Sequence, residues 1–224
     1  MIQPKIGTGL FTIQCDFDDT ITVQNVGAAL LDKFAHDQRA WQQIDEEYHS
    51  GLITVEECNR RQFAHVRVGQ EAIQDFVVRT VEVRQGFSQV VDYCREESIR
   101  FVIVSNGIDL YIDAILLNLG LADLERYSGQ ARITNEGIAI DYIDPMGVSV
   151  ERDFKLACLR YLQTGKQPIV CIGDGIADIP PALGADHVIA RGELLDHFQR
   201  HLLPHFAFET FYDVRQHLQS LLHS

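Results

Sequence analysis

The sequence is short of positive charge. Its 224 residues carry 19 Lys and Arg against 32 Asp and Glu, a formal net charge of −13. That balance argues against a nucleic-acid partner or an anionic membrane surface, since either would be repelled. Lysine is especially scarce, with only Lys5, Lys33, Lys155 and Lys166. No apolar run reaches the roughly 18–20 residues that span a bilayer. The opening Met1-Ile2-Gln3-Pro4-Lys5 lacks the apolar segment of a secretory leader. The five cysteines (Cys15, Cys58, Cys94, Cys158, Cys171) are far apart and mostly embedded in apolar runs, which speaks against a zinc site or a disulfide framework. Buried thiols in a reducing compartment account for them, so a cytoplasmic location is expected. His197 and His201, four residues apart, lie in an ordinary amphipathic stretch and are not read as a metal pair. Apolar content of 46% is enough for a full core, and the length suits one domain with a sizeable insert.

What is present is an alternation of strands and helices. Leu10-Phe11-Thr12-Ile13-Gln14 reads as a strand covered on both faces. Residues 23–81 then change character: Val26, Ala29, Leu30 and Phe34, then Trp41, Ile44 and Tyr48, recur at helical spacing. Thr54-Val55-Glu56-Glu57 has the form of a capping box, with Thr54 as cap and Glu57 reaching back. Ile73, Phe76, Val77 and Val81 mark a further helical face. Gly86-Phe87 opens the return, followed by a buried strand, Arg100 to Val104, ending at Ser105-Asn106-Gly107. Residues 131–140 alternate around a Gly-containing turn as a β-hairpin. A helix from about Val150 to Leu162 carries Lys155. A second buried strand, Pro168 to Ile172, closes on Gly173-Asp174-Gly175, and Val188-Ile189-Ala190 and Phe206-Ala207-Phe208 are short further strands. The pattern predicts an α/β fold, a Rossmann-like doubly wound parallel sheet with helices on both faces. A small all-helical cap is inserted after the first strand. The core is 1–22 and 82–224, and the cap is 23–81.

The chain's chemistry gathers at the predicted carboxyl ends of the strands, where open α/β sheets bind ligands. Asp16-Phe17-Asp18-Asp19-Thr20 brings three carboxylates to one such end. Folding does not require them there, since like charges this close repel and raise one another's pKa, and a cation would remove the repulsion. Ser105-Asn106-Gly107, Lys155 and Gly173-Asp174-Gly175-Ile176-Ala177-Asp178 complete the set. Each alone has an ordinary reading: a turn, a helix cap, or a solvated lysine.

Together, in this order and behind these strands, they resemble the haloacid dehalogenase-like phosphohydrolase superfamily. Its pattern runs DxDxT, Ser or Thr after the second strand, Lys, then GDxxxD. The resemblance covers the whole chain, including the helical cap, and lies closest to the phosphoserine phosphatase-type branch. Cys15-Asp16-Phe17-Asp18, Val83-Arg84-Gln85-Gly86-Phe87 and Phe208-Glu209-Thr210-Phe211 are similar to the methylthiopentenyl phosphate phosphatase family of methionine salvage.

The resemblance implies Mg²⁺-dependent hydrolysis of a small phosphomonoester through an aspartyl-phosphate. Asp16 suits the nucleophile, and Asp18 the acid that protonates the leaving oxygen and then activates water. Asp16, Asp174 and the Asp18 main-chain carbonyl would hold Mg²⁺, with Asp178 orienting ligands around it. Ser105 and the main-chain N–H of Asn106, at a helix N-terminus, would hold phosphate oxygens. Lys155 would pair with both Asp16 and the phosphate, and Thr20 would brace the acidic loop. Asn25, Arg60 and Arg61 are the polar cap residues able to face the site, the arginines equally able to lie on a solvated face. The expected substrate is a small phosphorylated metabolite such as a methionine-salvage keto-alkyl phosphate. Alternatives are phosphoserine hydrolysis or phosphotransfer to an acceptor other than water. A receiver-like module that merely accepts phosphate is disfavoured, because it needs neither Asp18 nor a lid.

Overall fold

The computed structural model describes residues 10–222; Met1–Lys5, read above for a leader, lie outside them. Seven strands form one sheet in the order β4-β3-β2-β1-β5-β6-β7. Every neighbouring pair is parallel except the β3–β4 hairpin. The central strand β1 (Thr12–Cys15) is buried along its whole length, as expected where helices cover both faces. Its neighbours are β2 (Arg100–Ile108) and β5 (Ile169–Gly173), with Cys15 in register with Ile103 on one side and Ile172 on the other. Asp16 therefore leaves the sheet between the carboxyl ends of β2 and β5. That register places the acidic loop beside both the Ser105 and the Asp174 segments.

Between β1 and the rest of the sheet stand four helices: α1 (Val26–Phe34), α2 (Gln38–His49), α3 (Val55–Phe63) and α4 (Gln70–Thr80). Three of the four begin on a side-chain cap. Asn25, Asp37 and Thr54 accept main-chain N–H bonds as N-caps of the first three, relieving amides that have no partner inside the helix. The chain leaves and re-enters the sheet domain side by side, joined by an antiparallel bridge between Thr22 and Val83. The inserted helices share one apolar cluster with the sheet: Val26, Leu30, Trp41, Phe63, Ile73 and Val77 are buried in continuity with the strands.

The chain then runs through α5 (Phe87–Glu96), β2, α6 (Asp109–Asn118), β3 (Glu125–Thr134), β4 (Gly137–Asp141), α7 (Phe154–Gln163), β5, α8 (Ile179–Gly184), β6 (His187–Ala190), α9 (Gly192–Arg200), β7 (Phe206–Ala207) and α10 (Phe211–Leu222). The helix expected from Val150 starts four residues later, because residues 144–150 are spent on a turn closed by Asp144 and on an Ile143–Ser149 bridge. Ser105-Asn106-Gly107 is not a helix N-terminus. It continues β2 to Ile108 past an irregularity in the pairing with β3, and α6 starts only at Asp109. The five cysteines are all buried and unpaired. No helix among the described residues is long and apolar enough to cross a membrane.

Candidate active site

Three strand ends and the start of α7 converge on a cavity of about 350 Å³ between the sheet and the inserted helices. Asp16, Asp18, Ser105, Asn106, Lys155, Asp174 and Asp178, drawn from four separate stretches, all line it, and so does Asn25 from the insert.

Lys155 is 5% exposed. Its Nζ donates to Asp16 Oδ1 at 2.6 Å and to Asp178 Oδ1 at 2.7 Å. Burial alone would pull the ammonium down, but these two carboxylates outweigh it and hold Lys155 well above the ordinary lysine range. Burial pushes Asp16 up, with Asp178 and Asp174 adding to the push and Lys155 opposing it. Asp174 rises to about 6, through burial and the nearby Asp178. A buried group of carboxylates with one ammonium is short of positive charge. Asp16, Asp174 and Asp178 each offer an oxygen within 4.8 Å of the others. An all-oxygen donor set of this kind fits Mg²⁺, which prefers one or two carboxylates and retained waters. The second oxygen of Asp178 accepts the N–H of Asp174 and of Gly175, both at 3.1 Å, so its carboxylate orients the loop as well as Lys155.

Asp18 points away from this trio. Its Oδ2 accepts Tyr111 Oη at 2.6 Å and its Oδ1 accepts Val26 N at 2.8 Å. Burial, rather than its acidic neighbours, is the main cause that raises its carboxyl. The bonds from Tyr111 and Val26 act against it, and Asp19 adds only a smaller push. Ser105 Oγ lies 3.5 Å from Asp18 Oδ2 and accepts the N–H of Gly107 at 2.9 Å. Gly107 has to be glycine: a Cβ there would stand 1.8 Å from Tyr111 Oη and 2.7 Å from Asp18 Oδ2. Thr20 braces the loop as expected, donating to Asp174 Oδ1 at 2.7 Å.

Several supporting residues were not singled out in the sequence. Arg84 is 8% exposed and spends its guanidinium on main-chain carbonyls. It donates to Thr20 O at 2.8 Å, Asp19 O at 2.6 Å, Thr22 O at 3.1 Å and Glu209 O at 3.3 Å. Arg191 donates to Asp19 O at 2.5 Å. These bonds hold Asp19, a non-glycine residue in the left-handed region at φ 58°, and with it the turn that follows Asp18. The signal for Arg84 lay in the Val83–Phe87 and Phe208–Phe211 phrases, which meet here through it. Tyr111 could have been found as a lone hydroxyl on the apolar face that follows Gly107. Glu56 and Asn59 on α3 reach the Asn106 segment. Thr54 caps α3 through Glu57 N at 3.2 Å, while Glu56 turns into the core.

The cap arginines do not enter the cavity. Arg60 binds Ile140 O, Val150 O and the Glu151 carboxylate. Arg61 pairs with Glu47 at 2.6 Å. Arg60 packs over the Tyr142 ring at 5.4 Å toward the edge of β4, and Arg61 turns instead to Glu47 on α2. Asn25 faces the cavity, but its carbonyl is occupied as the α1 cap, accepting Ala28 N at 2.9 Å.

Residues 13–183 match the family model of the haloacid dehalogenase-like hydrolases. The 2-hydroxy-3-keto-5-methylthiopentenyl-1-phosphate phosphatase of Brevibacillus brevis is 34% identical over 211 residues, 92% of this chain and 94% of that protein. The protein of the same name from Geobacillus thermodenitrificans is 33% identical over 212 residues, again 92% and 94% of the two chains. Among solved structures, a phospho-aspartyl intermediate analogue of phosphoserine phosphatase superposes with a TM-score of 0.70 at 17% identity, covering 95% of this chain and 99% of that one. At that identity the likeness speaks for the fold. The order of the motifs, the sheet that gathers them and the match over most of the chain agree: this protein belongs to the haloacid dehalogenase-like hydrolase family.

Proposed function

We propose that this phosphatase hydrolyses a small phosphomonoester with an uncharged, partly apolar leaving group, by way of a phosphorylated Asp16. The lining of the cavity carries that reading. Lys155 is the one lysine or arginine among the lining residues, and it is taken up by Asp16 and Asp178. Opposite it the inserted helices present Ala28, Leu31, Trp41, Val55, Cys58 and Phe63, with the amides of Asn25, Asn59 and Gln62 between them. A carboxylate on the leaving group would find there only His49, which already pairs with Asp45 at 3.5 Å, and would cost more to bury than a neutral group that finds a hydrogen bond. Hydroxyl, keto and thioether groups suit amides beside apolar walls. The names of the relatives above describe such a substrate, and a keto-alkyl phosphate of this kind is the substrate we assign.

In this reading Asp16 attacks phosphorus in line with the leaving oxygen. Asp18, whose carboxyl burial pushes up and Tyr111 orients, protonates that oxygen and then takes a proton from water. Lys155 and the Ser105–Asn106 segment steady the phosphate oxygens. Mg²⁺ bound to Asp16, Asp174 and the Asp18 carbonyl, with Asp178 bracing the loop, would supply the positive charge these carboxylates lack. The insert, residues 23–81, acts as a lid that excludes bulk water.

The test is kcat/KM for L-phosphoserine beside a keto-alkyl phosphate, each with Mg²⁺ and with EDTA. The keto-alkyl ester should lead by roughly ten-fold or more, the worth of one charged against one neutral hydrogen bond, and EDTA should remove activity on both. Phosphoserine leading by the same margin would replace our assignment. Phosphate release with no acceptor but water separates hydrolysis from phosphotransfer.

A further inference from the structure

Helix α7, which carries Lys155 in its first turn, has no cap of its own. Asp153 stands at the N-cap position with φ 60°, and its side chain accepts no bond from the helix amides. The first amides of a helix have no partner within it, and Phe154 is completely buried, so its N–H is removed from water. The acceptor comes from another part of the chain: Glu56 Oε1, on inserted helix α3, takes Phe154 N at 2.9 Å. The same oxygen takes Nδ2 of Asn106 at 3.2 Å. Glu56 is 1% exposed, and among the described residues no ion pair reaches it; what offsets the buried carboxylate is the positive end of α7. One helical turn along α3, Asn59 donates to Asn106 O at 2.7 Å and to Tyr142 Oη at 2.9 Å. A single face of α3 thus grips Asn106 from both ends and closes the start of α7.

We propose that Glu56 is a positioning residue that couples the seating of the inserted helices to the assembly of the phosphate-holding groups. With α3 down on the sheet edge, Glu56 fixes the first turn of α7, hence Lys155, and fixes the Asn106 amide next to Ser105. With α3 lifted, Phe154 N and Asn106 Nδ2 lose this acceptor together, and the site loosens. Complete phosphate coordination then exists only under a seated lid, where water is excluded. The inference rests on the lid and phosphatase reading above, but its central claim concerns the α7 amides and can fail independently of any substrate.

The variants E56Q and E56A in the full chain separate the possibilities. Oε1 accepts both bonds while Oε2 has no partner, so a glutamine carbonyl preserves both and alanine neither. E56A should lower kcat/KM by roughly 30-fold and weaken inhibition by inorganic phosphate, as two lost buried hydrogen bonds imply, whereas E56Q should stay within about three-fold of wild type. Hydrogen exchange supplies the readout that needs no substrate: peptides covering 153–157 should exchange faster in E56A and not in E56Q. In the wild type, Mg²⁺ with orthovanadate should slow the same peptides, a measurement that stands even where E56A does not fold. Unchanged exchange of 153–157 in E56A, or upon orthovanadate binding, overturns the proposal, as does an E56Q loss as large as that of E56A. A wrong substrate would alter the kinetics and leave the exchange difference in place.

Discussion

At the scale of single residues the site divides its two aspartates by environment. Asp16 faces Lys155 at 2.6 Å, while Asp18, two residues on, turns to Tyr111 at 2.6 Å. Burial raises both carboxyls, but only Asp16 has a cation bonded to it, as a nucleophile requires, which leaves Asp18 as the one placed to carry a proton. Asp16→Asn should lose roughly 10³-fold or more in kcat, since an amide neither forms the phospho-enzyme nor serves well as a metal ligand; a purified variant retaining a tenth of the rate would sink the nucleophile assignment. Tyr111→Phe tests the acid. The Tyr111 bond favours the ionised carboxylate and lowers an Asp18 carboxyl that burial raises. Removing it should raise the carboxyl further, so the alkaline limb of kcat/KM should move to higher pH while the peak rate falls. A limb that stays in place or moves to lower pH would count against Asp18 as the proton donor.

At the scale of elements, the hairpin of β3 and β4 and the inserted helix α3 share a contact on which the seat of the inserted helices depends. Gly137, at the hairpin turn with φ 142°, lies so close to α3 that a Cβ would stand 2.1 Å from Ala64 O. Arg67 Nε reaches Glu136 O at 3.3 Å beside it, and Arg60 reaches Ile140 O at the same distance. Gly137→Ala therefore combines backbone strain with a clash against main chain, and should destabilise the protein by about 1–3 kcal/mol. The seat of α3 should suffer more than the fold, so kcat/KM should drop while the far-ultraviolet circular dichroism is retained. Wild-type kinetics in this variant would mean that the hairpin does not support the lid. The displaced start of α7 belongs to this scale too. Val150 to Leu162 has helical spacing throughout, yet Val150 N is bonded to Tyr142 O beside the Ile143–Ser149 bridge and Asp153 stands at φ 60°, a local competition that periodicity does not report.

At the scale of the whole molecule, a net charge of −13 meets a substrate that is itself an anion. The chain places its few cations where they count: Lys155 inside the site, with Arg84 and Arg191 binding the carbonyls behind the acidic loop. A divalent cation would complete the balance, and this would couple metal, proton and stability. Asp174 is held at about 6 against an ordinary 3.8. Without metal, a carboxyl raised in this way contributes stability at low pH that is lost as pH rises through about 6. Metal binding needs the ionised carboxylate and is opposed by protons. The rise in Tm on adding Mg²⁺ should therefore be larger at about pH 7.5 than at about pH 5.5. Thermal scans giving the same rise at both values would mean that Asp174 does not hold the metal.

The order of chemistry along the chain was legible in the sequence because it is carried by short-range signals. An apolar strand followed by acidic, serine or glycine-rich turns marks a strand's carboxyl end, and the alternation of such strands with helices dictates a parallel sheet. Asp16, Asp18, Ser105, Asn106, Asp174 and Asp178 were read in this way and Lys155 from its place in the motif order, and the fold brings all seven to the lining of one cavity. Only the tertiary structure decided which side chains of the insert meet them. Arg60 and Arg61 were read as candidates from their charge, but α3 turns them toward Glu151 and Glu47. Glu56, hidden beside a capping signal in the sequence, is turned into the core. Glu56 and Arg60 stand about one turn apart on one face of α3, with Arg61 about 100° further round, so helical spacing does not sort them. Which of them is drawn inward is settled by partners nearly a hundred residues away, Phe154 and Glu151 among them.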